Sequence, residues 1–227
     1  MLRPRLSASA IAIGTFVALT TMISHDAQAI LTMSLNDGGA SATVTDADGD
    51  GILRFNDPLS VFDVNATTAL SQPRLTGTPT IIDLNSLSSS TAAGSLTIEI
   101  SDSDFTNPTD YLNFGIGGTT NGTLTYEAFV SETNGDPFLG TLIASGSADT
   151  LINSGAFSDR QRLNLILDGT NPYSVGIRVV INHGDDVKVS SFDGEIRVPE
   201  PHSLGLLGTG LVLAGLMLRR RRRKVRI

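Results

Sequence analysis

The 227 residues contain no cysteine and no tryptophan. Without cysteine there is no disulfide, no thiolate metal site and no thiol nucleophile, so an exported form relies on packing alone. With only Tyr111, Tyr126 and Tyr173 besides nine Phe, flat aromatic faces on which sugar rings or bases stack are scarce. Histidine is scarce as well: His25 and His202 lie towards the ends, which leaves His183 alone in the middle and reading as a turn residue. One such histidine, no cysteine and no G-x-S-x-G leave no nucleophile–base constellation, and the expectation is a protein that is not an enzyme. Nor does any stretch between the ends sustain a 3.6-residue apolar period with caps, which argues against helices.

Basic residues are also missing where the total hides it. The chain carries −7 overall, but Arg3, Arg5 and seven basic residues from Arg219 to Arg226 sit in the terminal segments. Between Ile30 and Glu200, seven basic residues (Arg54, Arg74, Arg160, Arg162, Arg178, Lys188, Arg197) stand against 22 Asp and Glu, a net of −15. Such a body repels nucleic acid and anionic surfaces unless cations intervene, and no nucleic-acid partner is expected.

The two ends carry addresses. Arg3 and Arg5 precede an apolar stretch, Leu6–Ile23, and Ala27-Gln28-Ala29 is a small-residue cleavage pattern. This predicts a signal peptide over 1–29, threaded by the Sec translocon and cut by signal peptidase after Ala29; a retained anchor is the alternative. At the other end, Pro199 and Pro201 fix φ and disfavour helix before them, so Val198-Pro199-Glu200-Pro201 is expected to be extended and open to a protease cleft. Leu204–Leu218 is uncharged and would span roughly 22 Å as a helix, less than the ~20 residues of an ordinary span. Arg219, Arg220, Arg221, Arg222, Arg223 and Lys224 follow as a stop-transfer cluster. On hydropathy alone a plain tail anchor fits equally.

This order of motif, short Gly-bearing apolar segment and arginine run resembles the PEP-CTERM sorting signal of Gram-negative bacteria. The resemblance implies exosortase, a membrane protease or transpeptidase, as processing partner, with Pro199, Glu200 and Pro201 as its recognition element. It implies a motif at 198–203, a transmembrane helix at 204–218 and a basic tail at 219–227, attached to an exported domain at 30–197. The chain would be held in the inner membrane by the helix, then released to the cell surface or beyond. Ile100–Thr106 and Gly117–Thr123 resemble segments of uncharacterised domains that precede such tails.

The middle reads as all-β. Leu96, Ile98 and Ile100 alternate with polar residues, and the pattern recurs in Leu124–Val130 and Val175–Ile181. Further strands are predicted at Leu31–Leu35, Ala42–Thr45, Ile52–Phe55, Ser60–Ala66, Thr80–Leu84, Leu139–Ala144, Arg162–Leu167, Val187–Phe192 and Glu195–Val198, with turns such as Asn36–Gly39 and Asn121-Gly122 between them. Ser86–Ala93 reads as a polar loop. Many short strands predict an antiparallel β-sandwich with jelly-roll or Ig-like connections.

One segment carries metal-ligand spacing. Asp46, Asp48 and Asp50, Gly51, the carbonyl of Ile52 and Asp57 occupy positions 1, 3, 5, 6, 7 and 12 of a loop that could wrap Ca²⁺. Position 12 is Asp, not Glu, and no helices flank the loop, so Asp-Gly-Asp-Gly as a hairpin turn between Ala42–Thr45 and Ile52–Phe55 is the alternative. Asp102 and Asp104 are two apart and read as a solvated strand end. The functional expectation is a structural or adhesive partner of exopolysaccharide in a biofilm, with Ca²⁺ able to bridge acidic protein and anionic glycan. The alternatives are a secreted carbohydrate-active enzyme, which would need two acids flanking a cleft, and an uncleaved membrane-anchored protein without catalysis.

Overall fold

The structure is a computed structural model that describes residues 30–76, 80–149, 155–184 and 187–198, with the side chains of 66, 67, 148 and 149 left aside. Both predicted terminal signals, apart from Val198, lie outside the described residues.

Twelve strands form among them: β1 (Thr32–Asn36), β2 (Ser41–Thr45), β3 (Ile52–Phe55), β4 (Phe62–Leu70), β5 (Thr80–Ser90), β6 (Gly94–Phe105), β7 (Thr109–Thr120), β8 (Thr123–Ser131), β9 (Thr141–Asp149), β10 (Gly155–Leu167), β11 (Tyr173–His183) and β12 (Lys188–Arg197). A single 3-10 turn, Pro137–Leu139, precedes β9. Two six-stranded sheets result, in the orders β2-β1-β6-β11-β8-β9 and β10-β7-β12-β5-β4-β3, and every pairing is antiparallel. From β5 to β12 the orders are 6-11-8-9 and 5-12-7-10, the winding of a jelly roll, and β1–β2 and β3–β4 extend one edge of each sheet.

The alternation that makes the strands also makes the core. Leu96, Ile98 and Ile100 of β6 and Val175, Ile177, Val179 and Ile181 of β11 point at the opposite sheet, and Phe62, Phe105, Phe114, Phe192 and Tyr173 fill the space between. Each such side chain contributes about 1.5–3 kcal/mol of burial. At one edge Gln161 of β10 clasps the Ser145 backbone of β9, donating to its carbonyl at 2.7 Å and accepting from its amide at 3.2 Å.

Four expectations are corrected. Strand β7 was absent from the sequence reading, because Asn113, Gly115, Gly117 and Gly118 dilute a pattern that Leu112, Phe114 and Ile116 nonetheless carry. The two segments Val187–Phe192 and Glu195–Val198 are one strand, β12, because Gly194 stays in the ladder against Ile116. Ser86–Ser90 is strand, not loop: β5 is flanked by β12 and β4, and Ser86, Ser88 and Ser90 are buried. Their hydroxyls find partners there, Ser86 with Ser88 at 3.0 Å and Ser90 with His183 at 2.8 Å. Finally, β2 and β3 are not the arms of one hairpin. Strand β2 pairs with β1 and β3 with β4, so Asp46–Gly51 carries the chain from one sheet to the other.

Candidate functional site

Asp46 organises the inter-sheet crossing. Its Oδ1 accepts the amides of Gly49 (2.9 Å) and Asp50 (3.3 Å), and Oδ2 accepts that of Gly51 (2.8 Å). Gly51 has φ +75°, and a Cβ there would lie 2.7 Å from the carbonyl oxygens of Ser71 and Gln72, so no other residue fits without displacing backbone. Asp50 accepts the amide of Ile52 at 2.9 Å, and β3 begins. Asp46, Asp48 and Asp50 place one oxygen each within 4.8 Å of one another, Asp46 buried and the other two exposed. Burial raises the Asp46 pKa, but the Gly51 amide, Asp48 and the Gly49 and Asp50 amides together hold it below the usual value. The contact with Asp46, then the charge of Asp50, pushes Asp48 up. Among the described residues these three carboxylates are the cluster that could hold a cation. Asp57 is not among them. It follows β3, whose four residues are extended, and at about 3.3 Å per residue the chain carries it well away from the aspartates.

Asp102 stands behind this loop, buried rather than solvated. Ser71 Oγ lies 2.9 Å from the Ile81 carbonyl and 2.5 Å from Asp102 Oδ2, while the Ser71 amide bonds the Gly51 carbonyl at 2.9 Å. A hydroxyl has one proton. The Asp102 carboxylate accepts at the short contact, in competition with the Ile81 carbonyl for the single Ser71 proton. Burial pushes Asp102 up to about 6 against the lowering bonds of Ser71 and Ser103, with the charges of Asp104 and Asp46 adding to the rise. Asp104 is elsewhere engaged: at φ 62° it exchanges two hydrogen bonds with Asn134, at 2.8 and 2.6 Å.

His183 is a buried strand residue, not a turn residue. Its Nδ1 meets Ser90 Oγ and its Nε2 meets Ser190 Oγ, both at 2.8 Å, and Ser190 meets Thr120 Oγ1 at 2.7 Å. The ring stacks on Phe62 with centroids 5.1 Å apart. The arrangement resembles a serine–histidine pair, but both serines are buried at 1% exposure or less, so no substrate reaches them and the cluster is structural.

A hollow opens on the outer face of the β10-β7-β12 region. Gly115 and Gly117 of β7 form its floor. Register places Arg160 and Ser158 of β10 beside them on one wall and Glu195 and Asp193 of β12 on the other. Two adjoining cavities, of about 330 and 260 Å³, share Gly115, Arg160 and Glu195. Arg162 lies over the Tyr111 ring at 3.5 Å, and Arg197 pairs with Glu195 at 2.6 Å. Burial, then the charges of Asp193 and Glu195, pushes the neighbouring Asp83 up to about 6; burial, then Glu195, raises Asp193. The sequence reading missed this hollow, and its one signal there was three of seven body cations at Arg160, Arg162 and Arg197.

Ala27, Ala29, Pro199, Glu200, Pro201 and Arg219, Arg220, Arg221, Arg222, Arg223 and Lys224 lie outside the described residues, as does Leu204–Leu218. Among the described residues no helix is long and apolar enough to cross a membrane.

Comparison with known proteins bears on the tail. Residues 197–223 match the PEP-CTERM protein-sorting motif. The chain therefore carries that motif, which implies exosortase as processing partner, export, and a membrane-associated sorting signal at the C-terminus. No curated protein matches the chain. Among solved structures it is similar to TmCBM61 in complex with beta-1,4-galactotriose, at 11% identity and TM-score 0.29 over 63% of this chain and 92% of that one. It is also similar to the enzymatically active domain of bacteriophage CBA120 tailspike protein 4, at 13% and 0.35 over 74% of this chain and 19% of that one. The K1 cleaved adhesin domain of Lys-gingipain from Porphyromonas gingivalis W83 is similar at 15% and 0.29, over 74% of this chain and 91% of that one. Likenesses this distant carry no argument about binding or activity.

Proposed function

We propose that this chain is an exported, non-enzymatic surface or extracellular-matrix protein with a structural or adhesive role in exopolysaccharide or biofilm, its C-terminus cut by exosortase at Pro199-Glu200-Pro201. The match at 197–223 is the observation that carries this reading. The proline-flanked glutamate supplies an extended peptide for the protease, the segment 204–218 a transient membrane hold, and the arginine run the cytoplasmic stop. A cleavable signal over 1–29 brings the chain to the membrane.

The absence of an enzymatic role is part of the proposal, and the hollow supports it. A glycosidase flanks the scissile bond with two carboxyl groups. Here Asp193 and Glu195 stand on one strand and one side, Glu195 is tied to Arg197, and the opposite wall carries Arg160 and Arg162. Replacing Pro199, Glu200 and Pro201 by alanines and following the chain by cell fractionation tests the address. The expected result is a full-mass chain retained in the membrane fraction; unchanged release and unchanged apparent mass would overturn the reading.

A further inference from the structure

We infer that the hollow between β10 and β12 is a binding groove for a linear acidic glycan, one that carries carboxylates and hydroxyls on neighbouring rings as a polyuronate does. This deepens the exopolysaccharide reading and rests on it for the ligand's location outside the cell.

The shape comes from the sheet. Strands β10 and β12 flank β7, so the walls stand two strand spacings apart, about 9–10 Å. Glycines at 115 and 117 remove the side chains that would fill the gap between them. A Cβ at Gly115 would meet Glu195 Oε1 at 3.7 Å and Arg160 Cγ at 3.9 Å, ordinary contacts, so the backbone does not require glycine there. From Asn113 to Gly117 the floor runs about 13 Å, enough for an oligomer rather than a single small ion. The combined space is within the range of ligand sites, roughly 300–1,000 Å³.

Charge selects the occupant. The body carries −15, yet three of its seven cations gather on this groove. Among the described residues the Arg160 guanidinium makes no ion pair, and Arg162 is held by Asn164 (3.0 Å) and the Tyr111 ring, not by a carboxylate. Guanidinium forks bind carboxylates in bidentate fashion. Across the floor, Asp193 and Glu195 accept hydrogen bonds, and sugar hydroxyls supply them. A ligand with both group types satisfies both walls. Polyphosphate or nucleic acid would set its charges against Asp193 and Glu195, and bases would find the Tyr111 face already covered by Arg162. A neutral glycan would leave the arginines unused.

The test is calorimetric titration of the full chain in mild detergent with a linear oligouronate, a neutral oligosaccharide of equal length and a polyphosphate of equal charge. The oligouronate is expected to bind at least tenfold more tightly than either control. Affinity should fall at least tenfold in Arg160→Ala/Arg162→Ala and in Gly115→Leu, which fills the floor, and stay unchanged in Arg178→Ala on the opposite sheet. Arg160→Lys/Arg162→Lys keeps the charge and loses the fork; it is expected to weaken binding severalfold, and it controls for any unfolding of the alanine variant. No binding of the oligouronate, equal or tighter binding of polyphosphate, or indifference to Gly115→Leu would overturn the inference. Sorting is read separately by fractionation, so a chain that is released but binds no oligouronate overturns only the groove.

Discussion

Acidification from pH 7 to pH 4 is expected to cost the sandwich about 3 kcal/mol at His183 alone. The ring is 3% exposed, and burial first, then the Lys188 charge, pushes its pKa from 6.5 down to about 4. The sign follows from proton uptake. The unfolded chain protonates this histidine as pH falls through 6.5, whereas the folded chain resists until about 4, so its contribution is present above 6.5 and lost as pH falls through that window. At about 1.4 kcal/mol per pH unit, the interval is worth about 3 kcal/mol. Asp83 and Asp102, both pushed up to about 6, act in the opposite sense: their contribution is full below 3.8 and lost as pH rises through about 6. The wild-type curve is therefore flatter than the histidine alone would make it, and a variant is needed to isolate the ring. Urea unfolding followed by circular dichroism at both pH values, for wild type and His183→Gln, supplies the comparison. The acid-induced loss is expected to be about 3 kcal/mol smaller in the variant. In parallel, the imidazole resonance of His183 should not titrate above pH 5. Superimposable pH profiles, or a folded-state titration near 6.5, would refute the argument.

Three further outcomes follow from the same geometry. Asp102→Asn should stabilise the fold at pH 7.5 by about 1–3 kcal/mol, because it removes an ionised carboxylate from a buried site, and the gain should vanish below pH 4; a gain independent of pH would contradict the protonation argument. Gly118→Ala places a Cβ 2.0 Å from the Ser191 carbonyl oxygen, whereas Gly115→Ala meets nothing closer than 3.7 Å. Thermal melts should therefore show a loss of at least about 2 kcal/mol for the first and under about 1 kcal/mol for the second, and equal midpoints would mean the strands do not approach as described. Asp46→Ala removes the acceptor of three backbone amides and should cost about 2–3 kcal/mol in EDTA as well as in millimolar Ca²⁺; a cost that disappears in EDTA would show that an ion, not the amides, holds the crossing.

What the sequence disclosed follows the range of the interaction. Strands β6, β8 and β11 were legible because Leu96, Ile98, Ile100 and their counterparts alternate within a few residues, and that pattern is local. Strand β7 kept its inward row at Leu112, Phe114 and Ile116, but its outward row holds Asn113, Gly115 and Gly117, which local propensity counts against a strand. The serines of β5 read as loop because their partners are remote: Ser90 meets a histidine 93 residues away. The aspartate spacing at 46, 48 and 50 was legible and does bring the carboxylates together, but nothing local told that β2 and β3 belong to different sheets. The groove was the least legible feature, since its floor and two walls come from three strands joined only by register.

The two outer faces of the sandwich treat their arginines differently, and that contrast argues against charge serving solubility alone. On the β11 face, Arg178 is bound between Glu99 at 2.6 Å and Glu127 at 3.0 Å and lies over Phe129 and Phe138, so its charge is consumed internally. On the β10 face, Arg160 and Arg162 form no ion pair among the described residues, in a body with 22 acids to choose from. Pairing them would have needed only an acid at the facing position on β7, where the chain has Gly115 and Asn113. At physiological ionic strength the body's repulsion is screened over about 8 Å. Beyond that distance a polyanion barely senses the −15, and inside it the guanidinium groups on the groove wall decide the contact. Net charge thus keeps the exported body apart from its own copies, while the unpaired arginines leave one strip where an acidic polymer can dock.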